Sequence, residues 1–166
     1  MSIKEEDTLL NRISELEKKY KRLEDLEEIK KLKARYFRFV DEKNWPGFAD
    51  LFTVDANIYP DGYLFKNSQE MASVINSMVE AVPSVHHGHM PEIEFIDDDN
   101  AQGIWAMEDL FTFPANKEGV PEGHNGYGQY RETYRRVNGD WKISSLILTR
   151  FRMDPLEHWD LEKDTK

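Results

Sequence analysis

Three histidines crowd one short stretch of the chain, His86-His87-Gly88-His89, in a sequence that has no cysteine. An imidazole titrates near neutral pH and can act as base, acid or metal ligand. Side chains alternate along an extended strand, so His86 faces one side while His87 and His89 share the other. The last two have a spacing usable for a metal, but no cysteine or adjacent carboxylate completes a ligand set, and no metal is expected. Polar residues at a subunit interface are the simpler account of that pair. His86 stands evenly between an ordinary polar residue and a catalytic base until its partners are considered.

Candidate partners lie far away in sequence. Asp41 sits near the end of a long helical stretch, where the helix dipole disfavours negative charge and a cationic or hydrogen-bonding partner would relieve it; a histidine on a covering sheet would serve. Tyr36, five residues earlier, lies roughly 140° around the helix from Asp41, so the two share no face but can flank one ligand at the helix end. Tyr36 is equally well read as a core aromatic with a wet tip. Trp105, Met107, Asp109 and Phe111 alternate onto one strand face, and apolar neighbours would raise the Asp109 pKa and make it a usable acid. Arg150 could clamp a substrate carbonyl or carboxylate, or simply pair with Asp109. Trp105, Met107, Phe39 and Tyr130 are the expected substrate-binding lining, which points to a hydrophobic ligand. No nucleophile elbow, phosphate-cradling loop or dinucleotide fingerprint occurs, so the chemistry left is acid–base work on an uncharged-to-anionic organic substrate without a built-in cofactor.

The elements that must position these groups can be read in outline. Residues 4–43 form a helical run free of Gly and Pro, which ends before Pro46. Leu9, Ile13, Leu16, Tyr20 and Leu23 step by 4-3-4-3, a heptad pattern. Forty helical residues would span roughly 60 Å, so the helix either breaks near residues 20–25 or projects beyond the domain. The heptad part is expected to pack on a neighbouring subunit. A short helix over 47–52, extended pieces at 56–59 and 63–65 around Pro60-Asp61-Gly62, and a helix over 69–80 capped by Ser68 follow. Residues 85–96 and 101–113 read as strands and 114–126 as a lid loop, with a hairpin of 127–137 and 141–151 around Asn138-Gly139. Helices first and a strand meander after them give an α+β fold with helices packed on one sheet face. Three segments are expected: a helical extension over 1–25, a domain over 26–152 and a tail over 153–166.

The net charge of −10 and the lack of a basic cluster argue against nucleic acid. The 39% apolar share suits one folded domain of 166 residues. No apolar run is long enough for a membrane span, no secretory signal starts the chain, and a cytoplasmic location is expected.

Several of these residues resemble a known family. Ile29, Leu32, Ala34-Arg35-Tyr36-Phe37, Asp41 and Trp45 are similar to the opening of SnoaL-like (NTF2-like) proteins. So are His86-His87-Gly88-His89 with Pro91-Glu92-Ile93, Gly103 with Trp105 and Asp109, and Gly139 with Trp141-Lys142-Ile143 and Arg150. The resemblance covers about residues 26–152, is nearest in flavour to the bile acid 7α-dehydratase type, and extends to scytalone dehydratase and hexachlorocyclohexane dehydrochlorinase. It implies a cone of curved, mostly antiparallel sheet with N-terminal helices on its concave face, a homo-oligomer (trimer or dimer), and Tyr36, Asp41, His86, Asp109 and Arg150 as pocket residues. The function it implies is a cofactor-independent dehydratase acting by His/Asp acid–base catalysis on a hydrophobic hydroxylated carbonyl compound, polycyclic or steroid-like ones included. An isomerase or polyketide-type cyclase using the same dyad, or a non-catalytic small-molecule binder, are the alternatives.

Overall fold

The computed structural model describes residues 3–120 and 122–156, with side chains from Asp7 onward. The elements run α1 (Ile3–Asp41), α2 (Trp45–Asp50), β1 (Phe52–Pro60), α3 (Ser68–Val79), β2 (Ser84–Gly88), β3 (Glu92–Phe95), β4 (Asn100–Phe113), β5 (Glu122–Val137) and β6 (Asp140–Pro155). One six-stranded sheet has the order β1-β6-β5-β4-β2, with β3 also on β4. All pairings are antiparallel except β1 with β6.

α1 is one unbroken helix, so its first turns project rather than fold back: residues 7–21 are all exposed, and burial begins at Arg22 and Asp25. From there Ile29, Leu32, Tyr36, Phe37 and Val40 recur at helical spacing and are buried against the sheet. The helix ends where Lys43 takes a left-handed conformation (φ 59) and the Asn44 amide bonds back to the Phe39 carbonyl at 2.8 Å. Asn44 then caps α2 by accepting from the Gly47 amide at 3.1 Å. The concave face of the sheet contributes Ile58, Trp105, Tyr130, Tyr134, Ile143 and Leu146 to the same core.

Several boundaries differ from expectation, each for a local reason. β1 begins at Phe52 rather than Ala56 because its first residues already lie beside Ile143 of β6. Tyr63–Phe65 is no strand, only a single bridge from Phe65 to Ile58. The stretch 85–96 splits into β2 and β3, with a break across Met90-Pro91 where proline offers no N–H to the ladder. Asn67, not Ser68, caps α3 through the Glu70 amide at 2.8 Å, while the Ser68 hydroxyl is diverted to the Ala49 carbonyl at 2.9 Å. The expected lid is shorter, since residues 122–126 are already paired to β4. The Asn138-Gly139 turn forms as read, with both residues at positive φ (53 and 94). Of the segment expected as a tail, 153–155 belong to β6, and 157–166 lie outside the described residues.

A buried ion pair fastens α1 to the sheet. Lys33, fully buried, reaches Glu132 at 2.5 Å, and Tyr134 and Trp105 complete a chain in which Trp105 Nε1 donates to the Tyr134 hydroxyl and that hydroxyl donates to Glu132. The Lys33 ammonium also lies 3.4 Å from the Tyr130 ring centre and 4.0 Å from that of Tyr36. Burial holds its pKa down to about 8 despite the pull of Glu132. Removing one partner of such a pair strands the other charge in the core. Lys33→Met is therefore expected to cost about 3–5 kcal/mol in urea denaturation, and Lys33→Met with Glu132→Leu to recover most of it; equal losses in both variants would contradict the pairing.

Candidate active site

The helix end and the sheet edge meet at Asp41. As the last residue of α1 it carries a charge that the helix dipole opposes, and three donors compensate. Its carboxylate lies 2.6 Å from His86 Nδ1, accepts the His86 backbone amide at 2.9 Å, and accepts the Ser84 hydroxyl at 3.1 Å. Lys43 Nζ donates in turn to the Ser84 hydroxyl at 2.8 Å. β2 is an edge strand, so the amide that Asp41 takes up would otherwise be an unpaired sheet-edge donor. With Nδ1 committed as donor to a carboxylate, the tautomer this pairing assigns leaves the His86 Nε2 lone pair free. The His86 side chain is 6% exposed and stands on the wall of a cavity of about 490 Å³.

That cavity is roofed by α3, whose Met71, Val74, Ile75, Met78 and Val79 face it, and is walled by Tyr63, Phe65, Phe111 and Phe113. Its polar groups are few: His86, Arg150, Asp61, His124 and the phenols of Tyr36, Tyr63 and Tyr130. Tyr36 and Tyr130 are buried and pack edge to face at 5.7 Å, hydroxyl near hydroxyl. Burial, reinforced for Tyr36 by the Glu132 charge and for Tyr130 by its phenol neighbour, pushes both phenols above their ordinary range, so they stay protonated as hydrogen-bond donors.

Arg150 is held from two sides. Its Nε donates to Asp109 Oδ2 at 3.1 Å, a second nitrogen binds the same oxygen, and Nη1 binds Asp61. Asp61, in a left-handed conformation (φ 48), also accepts the Arg150 amide at 3.3 Å. Asp109 is fully buried one layer behind Arg150, and burial pushes its pKa up. A side chain at Gly126, the residue opposite Asp109 on β5, would collide with both members of this pair, which explains the glycine there.

The sequence-derived residues thus fall into distinct places. Tyr36, His86, Arg150 and Tyr130 are on the cavity wall, with Asp41 and Asp109 one layer back as their partners. Trp105 and Met107 are on the expected inner face, but they are buried under α1 rather than beside the cavity. Phe39 lies on another side of α1, beside Leu51 and Trp141. The lining role falls instead to Phe111 and Phe113, further along the same strand. His87 and His89 face outward onto Glu108, at 2.9 and 3.8 Å. Among the described residues, no group of three or more His, Cys, Asp or Glu is arranged to hold a metal.

Three groups escaped the sequence reading. Lys33 was hidden in the apolar stripe of α1, although its place four residues after Ile29 signals an inward side chain. Glu132 alternates between Tyr130 and Tyr134, the same signal on a strand. His124 falls within the stretch whose Gly and Pro content suggests a lid, yet it is in β5, packed on Phe111 and Phe113, and burial lowers its pKa.

The sequence profile of the SnoaL-like domain matches residues 21–147. The chain belongs to the SnoaL-like family. This SnoaL-like chain is 26% identical over 136 residues to a protein named probable cyclase FGR4 of Gibberella zeae, an alignment covering 74% of this chain and 88% of that one. The hexachlorocyclohexane dehydrochlorinase LinA type 2 superposes with a TM-score of 0.76 at 22% identity, over 86% of this chain and 96% of its own. A scytalone dehydratase-like protein of Novosphingobium aromaticivorans gives 0.73 at 16% identity, over 86% and 93%. At these identities the structures attest the shared cone fold.

The electrostatics carry a prediction about ligands. Two carboxylates flank Arg150, so no net positive charge is left for an anion, and an uncharged ligand is favoured. In fluorescence titrations, 2-naphthamide is expected to bind better than 2-naphthoate. Asp61→Asn should tighten naphthoate binding about tenfold while leaving the amide unchanged; an unchanged naphthoate affinity would contradict the charge balance.

Proposed function

We propose that this SnoaL-like protein is a cofactor-independent hydro-lyase for an uncharged, hydrophobic β-hydroxy carbonyl compound, with steroid-like polycyclic compounds within reach of its cavity. The observation that carries the proposal is the oriented pair: Asp41 holds His86 by Nδ1, and the ring stands at the wall of an apolar cavity. A base in that tautomer accepts a proton at Nε2, and Asp41 stabilises the imidazolium that results.

In the first step the C–H bond next to the carbonyl breaks. Its proton goes to His86 Nε2, and its electron pair flows into the carbonyl to make an enolate. The hydroxyl of Tyr36 or Tyr130 donates to the oxygen where this charge collects; both phenols are buried and protonated. In the second step the enolate electrons form the C=C bond as the β C–O bond breaks. The departing hydroxide takes the proton back from the imidazolium and leaves as water. Substrate minus water equals product, and His86 ends neutral. Arg150, fixed by Asp61 and Asp109, orients the oxygen functions without demanding a charged substrate. The polar groups on the wall are few, and the apolar side chains around them would keep bulk water from competing for the enolate.

The fungal relative's name favours a second reading, in which the same enolate closes a ring instead of expelling hydroxide. Product mass distinguishes the two, since only elimination loses a water.

Screening hydrophobic β-hydroxy ketones by mass spectrometry is expected to find at least one that loses water. On it, His86→Ala should lower kcat by about 10²–10⁴ with the fold intact by circular dichroism, and Asp41→Asn should lower kcat without a matching rise in KM. Full turnover by His86→Ala would overturn the assignment of the base.

A further inference from the structure

Leu9, Ile13, Leu16, Tyr20 and Leu23 form one apolar stripe and are 43–63% exposed. At about 100° per residue this stripe lies roughly opposite the face that carries Arg22, Asp25, Ile29, Leu32 and Tyr36 to the sheet. It therefore points away from its own domain, and a second helix can lie along it without meeting the sheet.

We propose that this arm pairs in parallel with the same arm of a second copy of this chain, as a short two-stranded coiled coil. Three features commit the stripe to that partner. First, in the heptad frame Ile13 and Tyr20 occupy the a positions and Leu9, Leu16 and Leu23 the d positions. Isoleucine at a with leucine at d favours two parallel strands. Second, the flanking charges match in one orientation only. The g positions hold Arg12 and Lys19, and the e positions one heptad on hold Glu17 and Glu24. In a parallel pair Arg12 faces the other copy's Glu17 and Lys19 faces its Glu24. In an antiparallel pair, g meets g and e meets e, so like charges would oppose each other. Third, none of these four charges has an ion pair within its own chain among the described residues, so all are available. The positions opposite the seam are spent on the domain instead: Arg22 on the β3–β4 turn, and Asp25 on Trp141 and Arg136. Two domains joined this way hang from the same end of the paired helices, each with its own cavity free.

The absence of cysteine makes the test direct. In the full chain, Leu9→Cys and Leu23→Cys, each alone under mild oxidation, should each form a covalent dimer on a non-reducing gel. Lys18→Cys, on the outer side of the helix, should not. Cross-linking only when Leu9→Cys and Leu23→Cys are mixed would mean an antiparallel pair and overturn the proposal, as would equal cross-linking at Lys18→Cys or none at all. A double charge reversal, Glu17→Lys with Glu24→Lys, should weaken self-association at least tenfold by sedimentation. Mixing that chain with Arg12→Glu/Lys19→Glu should restore association as a heterodimer, and failure of this rescue would also count against the pairing. These substitutions sit on an exposed arm outside the cavity and leave the active-site account untouched.

Discussion

The rest of the site depends on one carboxylate at the wrong end of a helix. A negative charge at a helix C-terminus is unfavourable unless donors surround it, and Asp41 has three from β2, two of them on His86. The same contacts close an edge-strand amide, fix the angle at which α1 meets the sheet, and set the orientation of the imidazole. An apolar side chain at position 41 would leave the edge amide, the ring nitrogen and the Ser84 hydroxyl without their shared acceptor. In the proposed reaction folding and chemistry use one interaction, and it places His86 on the cavity wall.

Around this contact the structure handles buried charge by pairing it. Arg150 lies between Asp61 and Asp109, and Lys33 between Glu132 and two tyrosine rings. Such arrangements add less to stability than their geometry suggests, because desolvation offsets much of the attraction. What they supply is position. The Lys33 network holds Tyr36 and Tyr130 side by side with protonated hydroxyls, and the two carboxylates hold Arg150 in one place. The cavity therefore presents fixed donors and an oriented imidazole in an apolar shell, with no net positive charge at Arg150. That is the environment an enolate-forming reaction needs and an anionic ligand avoids.

Much of this was legible in the sequence, and the failures share a cause. The long stretch free of Gly and Pro marked out α1, strand alternation put Asp109 on one face with Trp105 and Met107, and the Asn138-Gly139 turn fixed the last hairpin. These are local signals. Position along a strand is a different matter: Trp105, Met107, Asp109 and Phe111 share a face, but only the far end of β4 reaches the cavity, because α1 crosses over the near end. No periodicity reports where a crossing helix lies. Phe39 fails for a similar reason, since α1 is contacted on more than one side and an aromatic can be half-buried away from the sheet. Lys33 and Glu132 each look like a surface residue alone; only the pairing of α1 with β5, 99 positions apart, makes them a core feature.

The central claim is that Asp41 fixes the tautomer of the neutral His86 ring, and ¹⁵N NMR of histidine-labelled protein tests it most directly. The account predicts a neutral ring with its hydrogen on Nδ1 and Nε2 bare, a pattern lost in Asp41→Asn. A ring protonated at Nε2 instead, or one averaging like a solvent-exposed imidazole, would contradict it.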